Sequence, residues 1–422
     1  MRAHAFLSLL IAACTGAAAP QVRPGIDVLL GDSAHLVRGL RVGLLTNQTG
    51  VDRAGRRDVD RLRAAGVRVT ALFSPEHGFL GTEDRPGLPD AVDSATGLPI
   101  YSLYSGARTP TLAGLDSLDV MVIDLQDIGA RYYTYVSYGV QLMREAARRG
   151  RPVIVLDRPN PLGGVLVQGN VRAEAAPPEV RVGILPVPMR HGMTLGELLR
   201  LANDVYGLGA ALTVVPAAGW RRSLLFDETG LPWVRPSPSM PDLESALHYP
   251  GMCLFEYTAL SVGRGTPFAF QVIGAPWLEA DRVLDRISLV LSGAGSGERS
   301  HQPGAGSKEL SATAGVEISV TEFTPSAPTD GKYGGVLLRG LRLRVIDRAT
   351  YDPTRLAVAL LAAIRAVHAD SLQFRDTAFD RLAGGPELRV AILSGRSPEG
   401  IWKEWDGPLE RFRRTRGAYL LY

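Results

Sequence analysis

Short apolar runs alternate with amphipathic segments through the first half of the chain. The runs are rich in Val, Ile and Leu, which is typical of strands buried on both faces of a parallel sheet. They lie at residues 41–45, 67–73, 120–123 and 152–156, with a shorter candidate at 100–103. Helical periodicity predicts helices at residues 57–65 and 137–149, each followed by a glycine. The alternation predicts right-handed crossovers and an α/β fold with a doubly wound parallel sheet.

The second half of the chain is less regular. Thr194 and Glu197 form a capping-box pattern that predicts a helix over residues 194–206. Further helices are predicted at 281–291, 353–368 and around 409–413, and strands at 212–216 and 336–346. The Gly/Ser/Ala-rich residues 292–307 indicate a mobile surface loop. We predict a first domain over residues 21–180 and a second over 181–422, with the boundary in the proline-rich stretch 172–190.

Composition narrows the class of protein. The 422 residues are 45% hydrophobic and 21% charged, as in a soluble globular protein with two cores. The net charge is +3, without a long run of one sign, so nothing favours a nucleic-acid partner. A GxGxxG motif does not follow the first strand, so a dinucleotide cofactor is not supported, and we predict no cofactor.

The first 20 residues indicate export. Arg2 and His4 precede an apolar stretch, residues 5–13, that is too short to span a bilayer and fits a secretory signal. Small residues before Cys14 resemble a lipobox, so we predict a lipoprotein signal, with cleavage near residues 17–19 as the alternative. The protein is then periplasmic or anchored to the membrane by a lipid. The remaining cysteine, Cys253, is predicted to be a small core residue.

Polar residues follow the predicted strands and indicate a ligand site. The run at 120–123 ends in residues 124–135 (DLQDIGARYYTY). In open α/β sheets the ligand crevice lies beyond the carboxyl ends of the strands. Carboxylates, an arginine and three tyrosines at this edge favour a polar, ring-shaped ligand, and a carbohydrate fits best.

Carboxylates at these strand ends suit glycosidic bond cleavage. Glu76 lies on a turn after the strand at 67–73, where burial could raise its pKa and make it a general acid, and His77 could orient it or contact the ligand. Asp124 or Asp127 could be its partner, since cleavage needs two carboxyls about 5–10 Å apart. Ordinary capping roles are the alternative for each. A metal site with Asp124, Asp127 and His77 is a lower-ranked hypothesis, because no tight ligand motif such as HExxH occurs.

Basic, aromatic and amide side chains complete the predicted binding site. A guanidinium can bind a substrate carboxylate through two hydrogen bonds, and tyrosines offer flat faces to sugar rings. Glu256 and the Gly-Arg-Gly turn at 263–265 indicate a ligand-facing loop in the second half. Surface ion pairing and core packing are the alternatives. The predicted ligand contacts are Asn47, His77, Arg131, Tyr132, Tyr133, Tyr135, Arg158, Asn160, Glu256 and Arg264.

Several of these runs together resemble the exo-β-N-acetylmuramidase (NamZ-like) family of bacteria. The resemblance rests on residues 44–50 (LLTNQTG), 74–78 (SPEHG), 124–135, 157–161 (DRPNP), 168–169, 261–266 and 416–422, in this order. It implies a Rossmann-like N-terminal domain and a smaller α/β C-terminal domain with the site between them. It also implies release of terminal N-acetylmuramic acid from peptidoglycan fragments during cell-wall turnover. By the resemblance, Glu76 is the leading catalytic carboxylate. The second carboxylate is then one of Asp124, Asp127 and Glu256. The lactyl carboxylate of that sugar fits the predicted arginine contacts.

Three hypotheses for function remain open at this point. The first is a glycoside hydrolase acting on muramyl sugars without a metal. The second is a non-catalytic lipoprotein that binds cell-wall fragments in the same cleft. The third is a metal-dependent hydrolase of phosphate or acyl esters. A serine esterase ranks last because no G-x-S-x-G motif is evident.

Overall fold

The computed structural model describes residues 21–105, 113–291, 309–313 and 315–422. The strands in these residues are β1 (Arg41–Thr46), β2 (Arg68–Ser74), β3 (Ala91–Val92), β4 (Pro99–Ser102), β5 (Val120–Asp124), β6 (Val153–Leu156), β7 (Gln168–Val171), β8 (Pro188–Arg190), β9 (Leu212–Val215), β10 (Val272–Gly274), β11 (Glu309–Thr313), β12 (Val316–Phe323) and β13 (Leu338–Val345).

The helices in the same residues are α1 (Gly25–Asp32), α2 (Asp58–Ala64), α3 (Tyr135–Arg148), α4 (Leu195–Val205), α5 (Leu243–Met252), α6 (Ala280–Leu291), α7 (Pro353–Val367), α8 (Asp376–Ala383), α9 (Glu387–Leu393) and α10 (Pro398–Arg416). None of the helices in the described ranges is long and apolar enough to cross a membrane.

A seven-stranded sheet organises the first half, in the order β3-β4-β2-β1-β5-β6-β9. All neighbouring pairs are parallel except β3 with β4. Side chains alternate between the two faces of each strand. Val122 therefore belongs to the same buried cluster as Leu29 of α1 and Leu62 of α2, whereas Ile123 belongs to the cluster that includes Leu142 of α3 and residues of α4. The predicted α/β fold with a doubly wound parallel sheet is confirmed.

A second, smaller sheet lies in the C-terminal half. Its strands are antiparallel in the order β10-β13-β12-β11. Helices α5 and α6 pack on it, and α7 packs against both of these helices. β7 and β8 form a separate two-stranded hairpin. The large core cluster runs without a break from Ile123 in the first sheet to Leu341 in the second, so the two halves share buried apolar surface.

The first sheet continues past residue 180, where the sequence predicts the first domain to end. Strand β9 pairs in parallel with β6, with Val155 opposite Val214, and α4 packs against α3. The sheet therefore includes elements up to Val215. The proline-rich stretch 172–190 connects β7 to β8 and includes β8 itself. Such a stretch need not mark a boundary, because proline disfavours regular structure inside a domain as well as between domains.

Local sequence signals located most elements well. The capping box is present, with the Thr194 hydroxyl accepting from the Glu197 amide and the Glu197 carboxylate accepting from the Thr194 amide. The C-terminal helix is longer than predicted, because α10 continues through Pro408. Helix α5, with Pro250 inside it, was not predicted, since Pro and Ser dominate its surroundings. The predicted signal with Cys14 and the predicted loop at 292–307 lie outside the described residues.

Candidate active site

A cavity of about 420 Å³ lies between the carboxyl edge of the first sheet and the second half of the chain. Loops after β2 and β5 form one wall. The end of α5, the segment after it and the loop near Lys332 form the opposite wall. The residues that line the cavity include Glu76, His77, Asp84, Tyr132, Tyr133, Thr134, Tyr249, Cys253, Glu256, Tyr257, Arg264, Phe270, Asp330, Lys332 and Arg375.

Glu76 projects into this cavity from the turn that follows β2. Pro75 comes directly after the strand, and the Gly78 amide closes the turn on the Pro75 carbonyl at 3.1 Å. His77, inside the turn, has a φ of 70°, which is uncommon for a residue with a Cβ. Backbone strain of this kind persists where the surroundings hold it and is often found at functional sites.

Two hydroxyl groups fix the Glu76 carboxylate. The Thr134 hydroxyl donates to Oε2 at 2.7 Å. Tyr104 also lies against Glu76; burial, together with the charge and hydrogen bonding of Glu76, raises the pKa of Tyr104 to about 12. The phenol therefore stays protonated at neutral pH and can donate to the carboxylate. Glu76 follows β2, Thr134 lies in the loop after β5 and Tyr104 follows β4, so segments after three strands of the sheet determine where Glu76 points.

His77 is held by acceptors on one of its nitrogens. Its Nδ1 lies 2.8 Å from the Glu83 carbonyl oxygen and 3.3 Å from Asp84 Oδ1. Because both neighbours are acceptors, Nδ1 carries the hydrogen and Nε2 is left for other partners. Burial lowers the pKa of His77, but the hydrogen bond to Asp84 and the charge of Glu76 outweigh it, so the net pKa is raised.

An ion-pair chain crosses the cavity from His77 to the second half of the chain. Arg264 Nη1 lies 3.2 Å from Asp84 Oδ2, and Arg264 Nη2 lies 2.5 Å from Glu256 Oε1. Burial alone would raise the pKa of Asp84, but His77, Thr329 and Arg264 together lower it to about 2. Asp84 is therefore ionised throughout the neutral range and links the Glu76 loop to the opposite wall.

Aromatic rings form another part of the wall. Tyr132 and Tyr133 both meet Tyr249 edge to face, with ring centroids 6.2 and 6.4 Å apart. Tyr249 in turn meets Phe270 edge to face at 4.7 Å. A wall of this kind is rigid and apolar, which suits the faces of a sugar ring, while the carboxylates and cations around it suit the hydroxyl groups.

The structure brings six of the predicted site residues to this cavity. They are Glu76, His77, Tyr132, Tyr133, Glu256 and Arg264. Seven others do not line it: Asn47, Asp124, Asp127, Arg131, Tyr135, Arg158 and Asn160. All seven are buried and bind neighbouring parts of the chain.

Asp124 and Arg158 form a closed ion pair instead of facing the cavity. Arg158 donates to both oxygens of Asp124, at 2.5 and 3.0 Å, and to the Val51 carbonyl at 2.8 Å. Asp58 lies beside them, where burial and the charge of Asp124 raise its pKa well above the usual value. The pair joins the ends of β5 and β6, so it holds the sheet edge and leaves neither charge for a substrate.

Asp127 and Asn160 shape the loop after β5. Asp127 Oδ2 accepts from the Gly129 amide at 2.7 Å and lies 3.5 Å from His191 Nε2. Gly129 has a φ of 82°, and a Cβ there would come within 2.4 Å of Asn160 Oδ1. Asn160 itself donates to the Met193 carbonyl at 2.9 Å. These contacts explain the motif residues as turn formers.

Arg131 and Tyr135 bind backbone carbonyls of distant segments. The Arg131 guanidinium donates to the carbonyls of Asn170, Val187 and Leu382 at 2.7–3.1 Å. Tyr135 donates to the Pro236 carbonyl at 2.6 Å and accepts from the Asn47 side chain at 2.7 Å. Both residues therefore attach the loop after β5 to other layers, and neither offers a free polar group to the cavity.

Several residues in or beside the cavity were not found from the sequence. Asp84 could have been suspected, because it follows Glu76 by only eight positions in the same loop. Tyr104, Lys332 and Arg375 come from separate segments without a recognisable motif, and only the packing of the chain brings them to the site. The predicted metal set is not assembled, because Asp124 is enclosed with Arg158 while His77 faces the cavity.

Comparison with known proteins assigns this chain to a class of glycoside hydrolase. Residues 42–244 match the family model for the N-terminal part of the exo-β-N-acetylmuramidase NamZ, and residues 247–422 match the model for its C-terminal part. The chain belongs to this family. The junction between the two models, near residue 245, also falls after β9, in agreement with the sheet topology.

Individual relatives agree with this assignment. The chain is 36% identical over 408 residues to the peptidoglycan β-N-acetylmuramidase NamZ of Bacillus subtilis (strain 168), covering 96% of this chain and 92% of that protein. Two crystal structures of DUF1343 family proteins from Bacteroides fragilis superpose with TM-scores of 0.81 and 0.71, at 31% and 28% identity. Each comparison covers 95% of this chain and 99% of the other.

Proposed function

We propose that this exo-β-N-acetylmuramidase releases N-acetylmuramic acid from the non-reducing ends of peptidoglycan fragments in the cavity around Glu76. Family membership defines the reaction class, and a relative that is 36% identical is named for its action on peptidoglycan. The single observation that supports this location is a carboxylate, fixed by Thr134 at 2.7 Å, in a cavity of about 420 Å³. That volume is in the range of small-molecule sites and holds few sugar rings, as an exo-acting enzyme requires.

Glu76 is the proton donor to the leaving oxygen in this proposal. The protonated form of Glu76 gives its carboxyl proton to the departing sugar's oxygen as the glycosidic C–O bond breaks, and the oxygen of a water molecule bonds to the anomeric carbon. Thr134 and Tyr104 approach Glu76 from two loops and hold it at one orientation. Such fixed orientation matters because proton transfer needs heavy atoms about 2.6–3.2 Å apart.

His77 is the second proton-transfer group. Asp124 and Asp127 are enclosed, and Glu256 is bound to Arg264 at 2.5 Å, so these carboxylates are poorly placed to act as the base. The hydrogen on His77 Nδ1 is held by Glu83 and Asp84, which leaves Nε2 to accept a proton from the attacking water. Asp84 is a positioning residue in this scheme, since it acts through the imidazole.

The decisive experiment compares wild type with Glu76→Gln on a muramyl-terminated disaccharide, with and without EDTA. We expect Glu76→Gln to lower kcat by about 10²–10⁴-fold, because general acid catalysis contributes that much. Glu83→Gln is the matched control, since its side chain is on the same loop but pairs with Arg85 at the surface. Free N-acetylmuramic acid is measured by chromatography.

The same experiment separates the competing functions. Wild-type binding without turnover would favour the non-catalytic binding protein. Turnover that EDTA abolishes would favour the metal-dependent hydrolase. Among the described residues, the structure shows no group of three or more His, Cys, Asp or Glu side chains that could hold a metal. Equal activity of Glu76→Gln and wild type would reject Glu76 as the proton donor.

Export through the N-terminal signal is a further part of this proposal. Arg2, the apolar residues 5–13 and Cys14 support it, and a peptidoglycan substrate lies outside the cytoplasm. We expect the wild-type protein to partition into the detergent phase of a Triton X-114 extract and Cys14→Ala to lose that partition. Wild-type protein in the aqueous phase would contradict lipidation, and N-terminal sequencing would then locate the alternative cut near residues 17–19.

A further inference from the structure

The basic residues of the cavity differ in how many partners they already have. Arg264, Lys332 and Arg375 all line it. Arg264 is paired with both Glu256 and Asp84, and it also donates to the Ser239 hydroxyl at 2.9 Å. An arginine neutralised twice has little attraction left for an anionic ligand.

Lys332 is also occupied. Its ammonium group donates to the carbonyls of Phe255, Glu256 and Leu260, at 3.3, 2.8 and 2.7 Å. An ammonium group has three hydrogens, so these bonds use all of them. Burial lowers the pKa of Lys332 to about 8, although the charges of Asp330 and Glu256 oppose this. Lys332 therefore holds the wall together.

Arg375 has a fixed backbone and an unpaired guanidinium. Its amide donates to the Tyr257 carbonyl at 2.8 Å, and the preceding Phe374 bridges to Thr258. The next residue, Asp376, is paired with Arg389 at 3.1 Å. Within residues 21–105, 113–291, 309–313 and 315–422, no side chain makes a hydrogen bond or ion pair with the Arg375 guanidinium. Among the arginine and lysine side chains that line the cavity in the described part of the chain, Arg375 is therefore the one available to a ligand.

We propose that Arg375 binds the lactyl carboxylate of the terminal N-acetylmuramic acid and so selects muramyl over N-acetylglucosaminyl ends. This inference rests on the proposed function. The lactyl ether is the difference between the two sugars, and its carboxylate is ionised at neutral pH. A guanidinium can bind a carboxylate through two parallel hydrogen bonds, which gives orientation as well as affinity. The three arginines suggested by the sequence are engaged within the protein, as described above.

The test uses two substrates that differ only in charge: a chromogenic β-N-acetylmuramide and the same compound with its lactyl carboxylate converted to a methylamide. We expect Arg375→Gln to lower kcat/KM on the acid about 10- to 100-fold, mainly through KM, because charge-assisted hydrogen bonds of this kind are lost. On the methylamide we expect less than a twofold change. We expect Arg375→Lys to retain more activity on the acid than Arg375→Gln does. Lysine keeps the positive charge but cannot form the two parallel hydrogen bonds of a guanidinium.

Arg381→Gln is the matched control, because Arg381 lies on the adjacent helix α8 but does not line the cavity. It leaves both substrates unaffected. Thermal unfolding verifies that each variant is folded. An equal loss on the acid and the methylamide, or no loss on either, would overturn the role of Arg375.

Calorimetric titration separates a failure of this inference from a failure of the proposed function. If wild type cleaves neither compound, free N-acetylmuramic acid and N-acetylglucosamine are titrated into wild type and Arg375→Gln. The carboxylate site is supported, even without catalysis, if wild type binds N-acetylmuramic acid more tightly than N-acetylglucosamine and Arg375→Gln loses this preference. Equal affinity of wild type for both sugars rejects it.

Discussion

Two arginine–carboxylate pairs, one at the edge of the first sheet and one on the opposite wall of the cavity, have the same closest distance but different surroundings. Arg158 and Asp124 approach to 2.5 Å with 5% and 0% of their side chains exposed. Arg264 and Glu256 also approach to 2.5 Å, with 18% and 14% exposed. The first pair closes the gap between strand ends, whereas the second faces a cavity. A polar cluster beyond a strand thus becomes a ligand site only where the packing leaves an opening.

Breaking the enclosed Arg158–Asp124 pair is expected to have the largest effect on stability. We expect Arg158→Met to lower the free energy of unfolding by about 3–5 kcal/mol, because it leaves Asp124 buried without its partner. Replacing both residues, as Asp124→Leu with Arg158→Met, recovers much of that loss, since no buried charge remains. Urea unfolding followed by circular dichroism gives the values.

Arg56→Met is the control for this prediction. Arg56 pairs with Asp52 while 60% of its side chain is exposed, so we expect a change of about 0–1 kcal/mol. If Arg158→Met were as mild as Arg56→Met, the enclosed pair would not be the structural support that its burial indicates.

The contact between His77 and Asp84 in the cavity is expected to contribute a smaller amount to stability, and this contribution depends on pH. The folded-state pKa of His77 is raised above 6.5, so its stabilisation is full below pH 6.5 and is lost as pH rises through the folded value. The pKa of Asp84 falls from 3.8 to about 2, so its stabilisation is present above pH 3.8 and is lost on acidification toward 2. We expect Asp84→Asn to cost about 1.5 kcal/mol between these limits and less on either side.

Urea unfolding at about pH 3, 5.5 and 8.5 measures this profile, with values chosen around the reference pKa of His and Asp. Part of the difference remains at the alkaline value, because Arg264 stays charged beside Asp84. Glu83→Gln on the same loop provides the baseline. A loss that is constant across the three values would show that the His77–Asp84 contact is not ionic.

Substitution of Tyr135 is expected to have the smallest effect on stability. It separates the buried residues of the motif at 124–135 from those that line the cavity. We expect Tyr135→Phe to lower stability by about 1 kcal/mol, because the Pro236 carbonyl and the Asn47 amide lose a buried partner. The kcat stays within twofold of wild type, since Tyr135 does not line the cavity. A fall in kcat of tenfold or more would instead support the role in ligand binding that the sequence pattern predicts for Tyr135.

Residues 124–135 show how far a motif can predict a site. The sequence pattern predicts two candidates for the second catalytic carboxylate in this motif, and four ligand contacts. Tyr132 and Tyr133 do line the cavity, but Asp124, Asp127, Arg131 and Tyr135 hold the loop that carries them. Strand-end position predicted that the loop is near the site. It could not predict which side chains point inward, because that depends on partners such as Pro236 and Leu382, more than 100 residues away.

The sequence by itself determined the alternation of strands and helices, the parallel sheet, the capping box of α4 and the turn that presents Glu76. These features depend on side-chain periodicity and on contacts between near neighbours, which a linear pattern records. Only the tertiary structure decided that β9 belongs to the first sheet, that Arg158 is enclosed and that Arg375 is available. Those outcomes depend on contacts between residues far apart in the chain, and burial and charge pairing are fixed only when those residues meet.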